Sequence, residues 1–154
     1  MRHSLTISAL WGEIGSPFQQ GRGGPGGWWI LFEPELHLGE DVLVPDLGGW
    51  RRERMPDVPD AAAAELAPDW VCEVLSPSTE RLDRAKKMQA YGRKGVDHLW
   101  LINPRTRTLE AYQRNDHAWL LLATHDGTAR IRVAPFDAVE LDLAQLWGES
   151  SAPE

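Results

Sequence analysis

Two carboxylates stand where the surrounding sequence predicts buried strands. Asp46 ends the segment DVLVPD, and Glu73 interrupts the apolar run WVCEVL. A carboxylate buried without a partner is costly, so each acid requires a compensating group. A salt bridge or a helix-cap role explains either acid alone. Two acids on adjacent strands could instead bind a divalent cation, since Mg²⁺ often uses only one or two protein carboxylates.

A lysine on the following predicted helix could complete this chemistry. Asp83 and Lys87 are four residues apart, so they share one face of a helix. A helix packed against its own strand could bring Lys87 beside Glu73, where the ammonium could orient a water or stabilise charge on a phosphate. The spacing alone favours a simpler interpretation, an ordinary surface pair between Asp83 and Lys87.

The elements that must position these side chains form a mixed α/β pattern. Apolar spacing predicts a short helix over residues 4–14, and Ser78 or Thr79 can cap a helix that ends near Lys94, before Gly95. Strands are predicted over residues 28–38 with a break near Pro34, and over 41–46, 70–75, 97–102, 107–113 and 119–123. The segment Gly48-Gly49-Trp50 reads as a connection into a loop. This order predicts an α/β layer whose sheet is antiparallel where the hairpins lie.

Length and composition bound the class of protein. A chain of 154 residues with 42% hydrophobic and 25% charged residues is typical of one globular domain. The single cysteine, Cys72, cannot form an internal disulfide, which fits a reducing compartment and predicts a cytoplasmic protein. No stretch is apolar and long enough to predict a membrane span. We expect a single domain over residues 1–147 and a polar tail over 148–154.

The charge is distributed unevenly along the chain. A net charge of −7 argues against a nucleic-acid partner, because phosphate binding needs positive charge. However, the segment from Glu80 to Lys94 carries six basic and two acidic side chains, and Arg51, Arg52 and Arg54 form a second basic cluster. These clusters are either solvated faces of an acidic protein or contacts for phosphates.

Three segments together resemble a known family. VPDLGGW, CEVLSPSTERLDRAKKMQAYGRKGVDHLWLINP and the later hairpin are similar to the Uma-type restriction endonucleases of bacteria. The resemblance covers roughly residues 28–147. It implies the fold of the restriction-endonuclease-like superfamily, a mixed β-sheet core flanked by helices. It also implies an endonuclease that hydrolyses phosphodiester bonds of DNA.

The resemblance also implies roles for individual residues. Asp46 and Glu73 would be the catalytic, metal-binding acids, with Mg²⁺ or alternatively Mn²⁺ as the cofactor. The superfamily lysine usually lies two positions after the glutamate, where this chain has Leu75, so Lys87 on the next helix is the catalytic candidate. Glu35 is a candidate additional metal ligand, and Asp83 a candidate supporting residue.

Partners are implied by the same resemblance. DNA is the expected partner, RNA stays open as a substrate, and two copies could pair as a homodimer to cut both strands. The candidate contacts to the nucleic-acid backbone are Arg51, Arg52, Arg84 and Lys86. Family members usually carry further residues before the segment RHSLTISALWGEIG, so we expect this chain to lack that N-terminal segment. The alternative function is therefore a catalytically inactive remnant or a binding module that keeps the nuclease fold.

Overall fold

The computed structural model describes residues 1–78, 81 and 83–149, and for Asp83 it describes the backbone only. The predicted polar tail from residue 150 onward and the candidate cap Thr79 lie outside the described residues. The helices are α1 (Arg2–Ile14), α2 (Met88–Arg93) and α3 (Leu143–Leu146), and π-helical turns span Gly15–Gln19 and Asp83–Lys87. The strands are β1 (Trp28–Phe32), β2 (Leu36–Leu38), β3 (Asp41–Leu43), β4 (Leu47–Arg51), β5 (Trp70–Val74), β6 (His98–Asn103), β7 (Thr108–Asn115), β8 (Ala118–Asp126), β9 (Arg130–Ile131) and β10 (Leu141–Asp142).

Six of these strands form one mixed sheet. Their order is β1-β4-β5-β6-β7-β8. All neighbours run antiparallel except β5 and β6, which pair in parallel from Trp70 opposite His98 to Val74 opposite Ile102. A parallel pair needs a crossover connection, and the chain between β5 and β6 contains the π-turn and α2. The expected α/β fold, a mixed sheet with flanking helices, is therefore confirmed.

The sheet separates two apolar clusters, because side chains along a strand alternate between its faces. Trp70, Cys72 and Val74 of β5 point into the cluster that α1 covers, together with Leu10 and Ile14. Val71 and Leu75 point the other way, into a cluster that contains Tyr91 of α2. Glu73 shares this second face by alternation, so its carboxylate lies on the side of the sheet that α2 covers.

The sequence-based prediction was wrong about the segment around Asp46. The predicted buried strand over residues 41–46 is shorter: β3 ends at Leu43, is partly exposed, and pairs only with β2. Asp46 instead immediately precedes β4, a strand in place of the predicted connection. Two glycines suggested a turn, but in the structure they make room for neighbouring rings, and a Cβ on Gly48 would lie 2.8 Å from Pro34 Cγ. A Cβ on Gly49 would lie 3.1 Å from Trp70 Cε3 and 3.3 Å from Trp28 Cε3.

The segment after β5 turns into the helix region as expected. Pro77 comes after the strand, and the helical region described from Asp83 ends at Arg93. Gly95 takes a φ of +82°, which only glycine adopts without strain, and so ends the helix. Within the described residues, no helix is long and apolar enough to cross a membrane.

Candidate active site

Asp46 and Glu73 are joined by reciprocal hydrogen bonds between neighbouring strands. The backbone N–H of Asp46 donates to Glu73 Oε1 at 3.0 Å. The backbone N–H of Val74 donates to Asp46 Oδ2 at 2.6 Å. Glu73 thus accepts a hydrogen bond from the backbone of Asp46, and Asp46 accepts one from the backbone of Val74, the residue that follows Glu73. This pairing fixes both acids at the same end of the sheet, where β4 begins and β5 ends.

Lys87 reaches Glu73 from the helical side. Its Nζ donates to Glu73 Oε2 at 2.6 Å and lies 3.5 Å from the Val44 carbonyl oxygen. The Glu73 side chain is only 2% exposed and that of Lys87 is 25% exposed. Glu73 is therefore shielded from solvent, whereas Lys87 reaches the surface of the site. The structure therefore brings together Asp46, Glu73 and Lys87, the three residues predicted to be catalytic.

His3 joins the site from α1. Its Nε2 lies 3.3 Å from Asp46 Oδ2, the oxygen that also accepts from Val74. Sequence reasoning missed this residue because His3 and Asp46 are distant along the chain, and no local pattern links them. A histidine in the first turn of an amphipathic helix gives no signal by itself.

Burial dominates the electrostatics of Asp46. It raises the pKa of the Asp46 carboxyl, while the Val74 hydrogen bond and the positive charges of His3 and Lys87 oppose the shift. Burial, and secondarily the charges of Asp46 and Glu73, raises the pKa of the Cys72 thiol well above its usual range. Cys72 is therefore a protonated core residue and not a thiolate ligand or nucleophile.

The site opens into a cavity that fits a divalent cation. The cavity, about 480 Å³, is lined by Met1, His3, Ser4, Asp46, Glu73, Val74, Ser76 and Lys87. The described residues supply no hydrogen bond to Asp46 Oδ1, which leaves this oxygen available to a cation. Hard carboxylate oxygens are the ligands that Mg²⁺ prefers, and water can complete its coordination. In the described part of the chain no cluster of three or more His, Cys, Asp or Glu could hold a metal, so the residues that would hold a cation are the Asp46–Glu73 pair alone.

Glu35, the candidate additional ligand, lies elsewhere. It precedes β2, its Oε2 is 3.2 Å from His37 Nε2, and it lines a different cavity with Pro34 and Trp50. The break at Pro34 turns the chain away from β1 before Glu35 is reached, so Glu35 is not part of the pair at the start of β4. The side chain of Asp83, the candidate supporting residue, lies outside the described part of the structure.

The candidate phosphate contacts divide into two groups. Arg51 and Arg52 are at the opposite end of β4 from Asp46, about 17 Å away at the usual rise per strand residue. The Arg51 guanidinium lies over Trp28 at 4.5 Å, and the Arg52 guanidinium lies over Trp29 at 3.9 Å. Arg52 also donates to the carbonyl oxygens of Trp28 and Gln19, at 3.1 and 2.6 Å.

The other two candidates belong to the helical segment. Arg84 makes two hydrogen bonds to the Glu110 carboxylate, at 3.2 and 2.5 Å. Lys86 is exposed and lines a cavity that also contains Lys87. Of the four candidates, Lys86 is thus the one that lines a cavity together with Lys87.

Comparison with protein families identifies the chain's relatives. The model of the Uma2 family, described as "Putative restriction endonuclease", matches residues 2–144. The chain belongs to the Uma2 family. No curated protein matches the chain.

A solved structure supports the fold of this Uma2 chain. A protein from Anabaena variabilis, described as a putative nuclease belonging to DUF820, superimposes with a TM-score of 0.76. The match covers 96% of this chain and 81% of the other, at 24% sequence identity. At this identity the likeness is one of fold. The reciprocally bonded acids and Lys87 therefore belong to an Uma2 chain whose fold is shared with that protein.

Proposed function

We propose that this Uma2 chain is a Mg²⁺-dependent, cytoplasmic endonuclease that hydrolyses phosphodiester bonds of DNA. One observation carries the proposal: Asp46, Glu73 and Lys87 meet in a single cavity, with Lys87 Nζ 2.6 Å from Glu73 Oε2. Family membership supports the reaction class. Mn²⁺ is the expected substitute for Mg²⁺, because both bind carboxylate oxygens.

In this proposal, Asp46 and Glu73 hold the cation, and Lys87 acts on the reacting groups. A bound Mg²⁺ supplies positive charge that stabilises the phosphoryl oxygens. A water oxygen forms the new bond to phosphorus and gives its proton to solvent, while the bond to the leaving sugar oxygen breaks and that oxygen takes up a proton from solvent. Lys87 Nζ is anchored by Glu73, which positions the ammonium to orient that water or a phosphoryl oxygen.

The test is cleavage of supercoiled plasmid DNA by the purified chain with Mg²⁺, with Mn²⁺ and with EDTA. Asp46→Ala, Glu73→Ala and Lys87→Met should each lower cleavage by at least about 100-fold, because the first two would remove a ligand of the cation and the third the group that orients the reacting atoms. The matched control is Asp116→Asn, which removes a 91% exposed carboxylate at a β-turn and should cleave like the original chain. Undiminished cleavage by both Asp46→Ala and Glu73→Ala contradicts the assignment. Parallel cleavage assays on RNA decide whether DNA or RNA is the substrate.

A second candidate is a binding module that keeps the nuclease fold without cleaving. It is favoured by the hydrogen bonds at Glu73, whose two carboxylate oxygens are both engaged by protein donors, so Glu73 is stabilised without a cation. Calorimetry with Mg²⁺ and Mn²⁺ separates the two candidates. Binding that is lost in Asp46→Asn supports the enzyme, and absence of binding at millimolar metal supports the binding module.

We further propose that two copies pair as a homodimer. Strand β8 is an edge of the six-stranded sheet, and its Leu120, Leu121 and Leu122 are 54%, 49% and 42% exposed. An exposed apolar edge strand is a ready template for pairing with another chain. Size-exclusion chromatography coupled to light scattering measures the mass of the particle in solution. A dimer that Leu121→Lys converts to a monomer supports this pairing, and a monomer at all concentrations contradicts it.

A further inference from the structure

A second cavity adjoins the candidate active site, and Lys87 lines both. This second cavity, about 450 Å³, lies between β3 and the helical segment. Its lining is Asp41, Leu43, Lys86, Lys87, Gln89, Ala90 and Arg93. Lys87, the candidate catalytic residue, therefore borders both cavities.

The charge of this second cavity, which we call the flanking groove, is positive in an otherwise acidic chain. Lys86, Lys87 and Arg93 contribute cations, and Gln89 contributes an amide. Its lining carboxylate, Asp41, is shared between two cations, since Asp41 Oδ2 lies 4.0 Å from Arg93 and 3.7 Å from Lys94, so the cations of the groove still outnumber it. With a net charge of −7 over the whole sequence, such a groove is a local site for an anionic ligand.

The spacing of the polar residues suits a repeating anion. Lys86, Gln89 and Arg93 recur at three- and four-residue intervals, so they form one stripe along the helical segment. Seven residues of helix span about 10 Å. Phosphates along one strand of a duplex are spaced by about 3.4 Å of axis, so a stripe of about 10 Å is long enough to reach more than one phosphate of a strand.

We propose that the flanking groove binds the backbone phosphates of the nucleic-acid strand next to the bond at Lys87. This rests on the proposed nuclease function for the position of the cut, but binding in the groove requires neither metal nor cleavage. Lys86 and Arg93 contact phosphates, and Gln89 donates its amide N–H to a phosphate or sugar oxygen. Such contacts carry no sequence information, so the groove contributes affinity and direction of the strand and not base specificity.

The test measures binding in EDTA, so that catalysis does not enter. The probe is a fluorescent single-stranded DNA oligonucleotide titrated with the chain at several salt concentrations. The double variant Lys86→Gln/Arg93→Gln should bind about 10-fold more weakly at low salt. Its slope of log K against log salt should be smaller by about 1.4, since each phosphate contact on a single strand contributes about 0.7.

The matched control is Arg22→Gln/Arg130→Gln, which removes the same charge from two exposed arginines that line neither cavity. It should keep the affinity and the slope of the original chain. Equal losses in the two double variants overturn the proposal, because net charge alone then explains binding. An acidic polypeptide that binds as tightly as DNA, with the same dependence on Lys86 and Arg93, also overturns it in favour of an acidic protein partner.

Failure of this inference is distinguishable from failure of the proposed function. Groove-dependent DNA binding in EDTA, in a chain that never cleaves with Mg²⁺, supports the groove and contradicts the enzyme. Mg²⁺-dependent cleavage by a chain whose binding is insensitive to Lys86→Gln/Arg93→Gln supports the enzyme and contradicts the groove.

Discussion

Lys87 Nζ lies 2.6 Å from Glu73 Oε2, and the Glu73 side chain is 2% exposed. Removing one partner of a buried pair leaves the other charge without compensation, which typically costs 3–5 kcal/mol. Because Lys87 is 25% exposed, we expect Lys87→Met to lower the free energy of unfolding by about 2–3 kcal/mol. Urea denaturation measures this change.

A double-mutant cycle separates the interaction energy of the Glu73–Lys87 pair from the effect of each substitution on packing. Glu73→Gln/Lys87→Met removes both charges and should recover most of the loss, giving a coupling energy of about 1–2 kcal/mol. Strictly additive effects would show that the two charges do not depend on each other.

Asp46→Asn should stabilise the chain at pH 7 in metal-free buffer while abolishing cleavage. Burial raises the pKa of Asp46 in the folded chain above that in the unfolded chain. A group with a raised pKa favours folding most below its unfolded pKa, and this contribution is lost as the pH rises through the folded pKa. The charged Asp46 is therefore a cost at pH 7. Asn keeps an acceptor for Val74 N–H, so a gain of about 0.5–2 kcal/mol is expected.

The pH dependence of the stability gain tests whether it comes from the charge of Asp46. At about pH 3, roughly one unit below the pKa of an unperturbed Asp, the Asp46 carboxyl is mostly protonated in both states, and the two chains should have similar stability. Thermal unfolding from pH 3 to 8 tracks the difference. A difference that does not vary with pH would point to packing and not to charge.

His3→Ala should weaken metal binding and cleavage by about 10–100-fold, the usual effect of removing a group that orients a ligand. His3 Nε2 contacts Asp46 Oδ2, so its loss removes one of the two contacts that orient this carboxylate and leaves the Val74 hydrogen bond. His3→Gln keeps an N–H donor and should retain much of the function. Calorimetry with Mn²⁺ alongside thermal unfolding distinguishes orientation from folding: affinity should fall while the Tm of His3→Ala stays close to the original. A fall in Tm with unchanged Mn²⁺ affinity would assign His3 a structural role.

Arg84→Gln should destabilise the chain at neutral pH and not in acid. Burial alone would raise the pKa of Glu110, but the hydrogen bonds from Arg84 and Tyr112 outweigh it, and the pKa lies below its usual range. A lowered pKa stabilises the fold above the unfolded pKa, and this stabilisation is lost as the pH falls through the folded pKa. Since Arg84 is 39% exposed, the loss at pH 7 should be only about 1 kcal/mol. Urea midpoints at pH 7 and pH 3, with Arg22→Gln as a surface control, measure the change; equal losses at both pH values contradict it.

Gly49→Ala should destabilise the chain by about 1–3 kcal/mol, the usual cost of overpacking a core. The added Cβ would lie 3.1 Å from Trp70 Cε3 and 3.3 Å from Trp28 Cε3. Both rings are buried and tightly packed, so neither can move aside easily. Calorimetric unfolding measures the loss, and Gly127→Ala is unsuitable as a control because Gly127 has a φ of +72°. Gly12, within α1 and with open space at its Cβ, is the better comparison: Gly12→Ala should be neutral or stabilising.

The local pattern of the sequence was enough to predict the parts of the fold that depend on neighbours in the chain. The sequence predicted β5 and the helix that ends before Gly95, because the apolar run, Pro77, the candidate cap and the final glycine all lie within one short segment. The β7–β8 hairpin was predicted for the same reason. Strand β4 was missed because Gly49 is explained by Trp28 and Trp70, which belong to other strands, and Gly48 by the close approach of Pro34.

The residues of the candidate site likewise divide into those that the sequence predicted and those that only the structure revealed. Asp46 and Glu73 stand out in the sequence as acids among apolar residues, and family resemblance pointed to Lys87. The contact of His3 with Asp46 depends on how α1 crosses the start of β4, which no spacing in the sequence encodes. The ion pair between Arg84 and Glu110 likewise depends on the register of β7 beneath the helical segment, so the sequence could not show that Arg84 is already paired.

The π-helical turn over Asp83–Lys87 limits how this chain can change in length. Lys87 is the last residue of that turn, and its direction relative to Glu73 is set by the number of residues that precede it. Each residue added to or removed from a helix rotates the rest of that helix by about 100°. A single insertion or deletion within Asp83–Lys87 would therefore change the direction of the ammonium relative to the carboxylate, whereas surface substitutions leave it in place. For evolution and for engineering alike, the length of this segment is less free to vary than its composition.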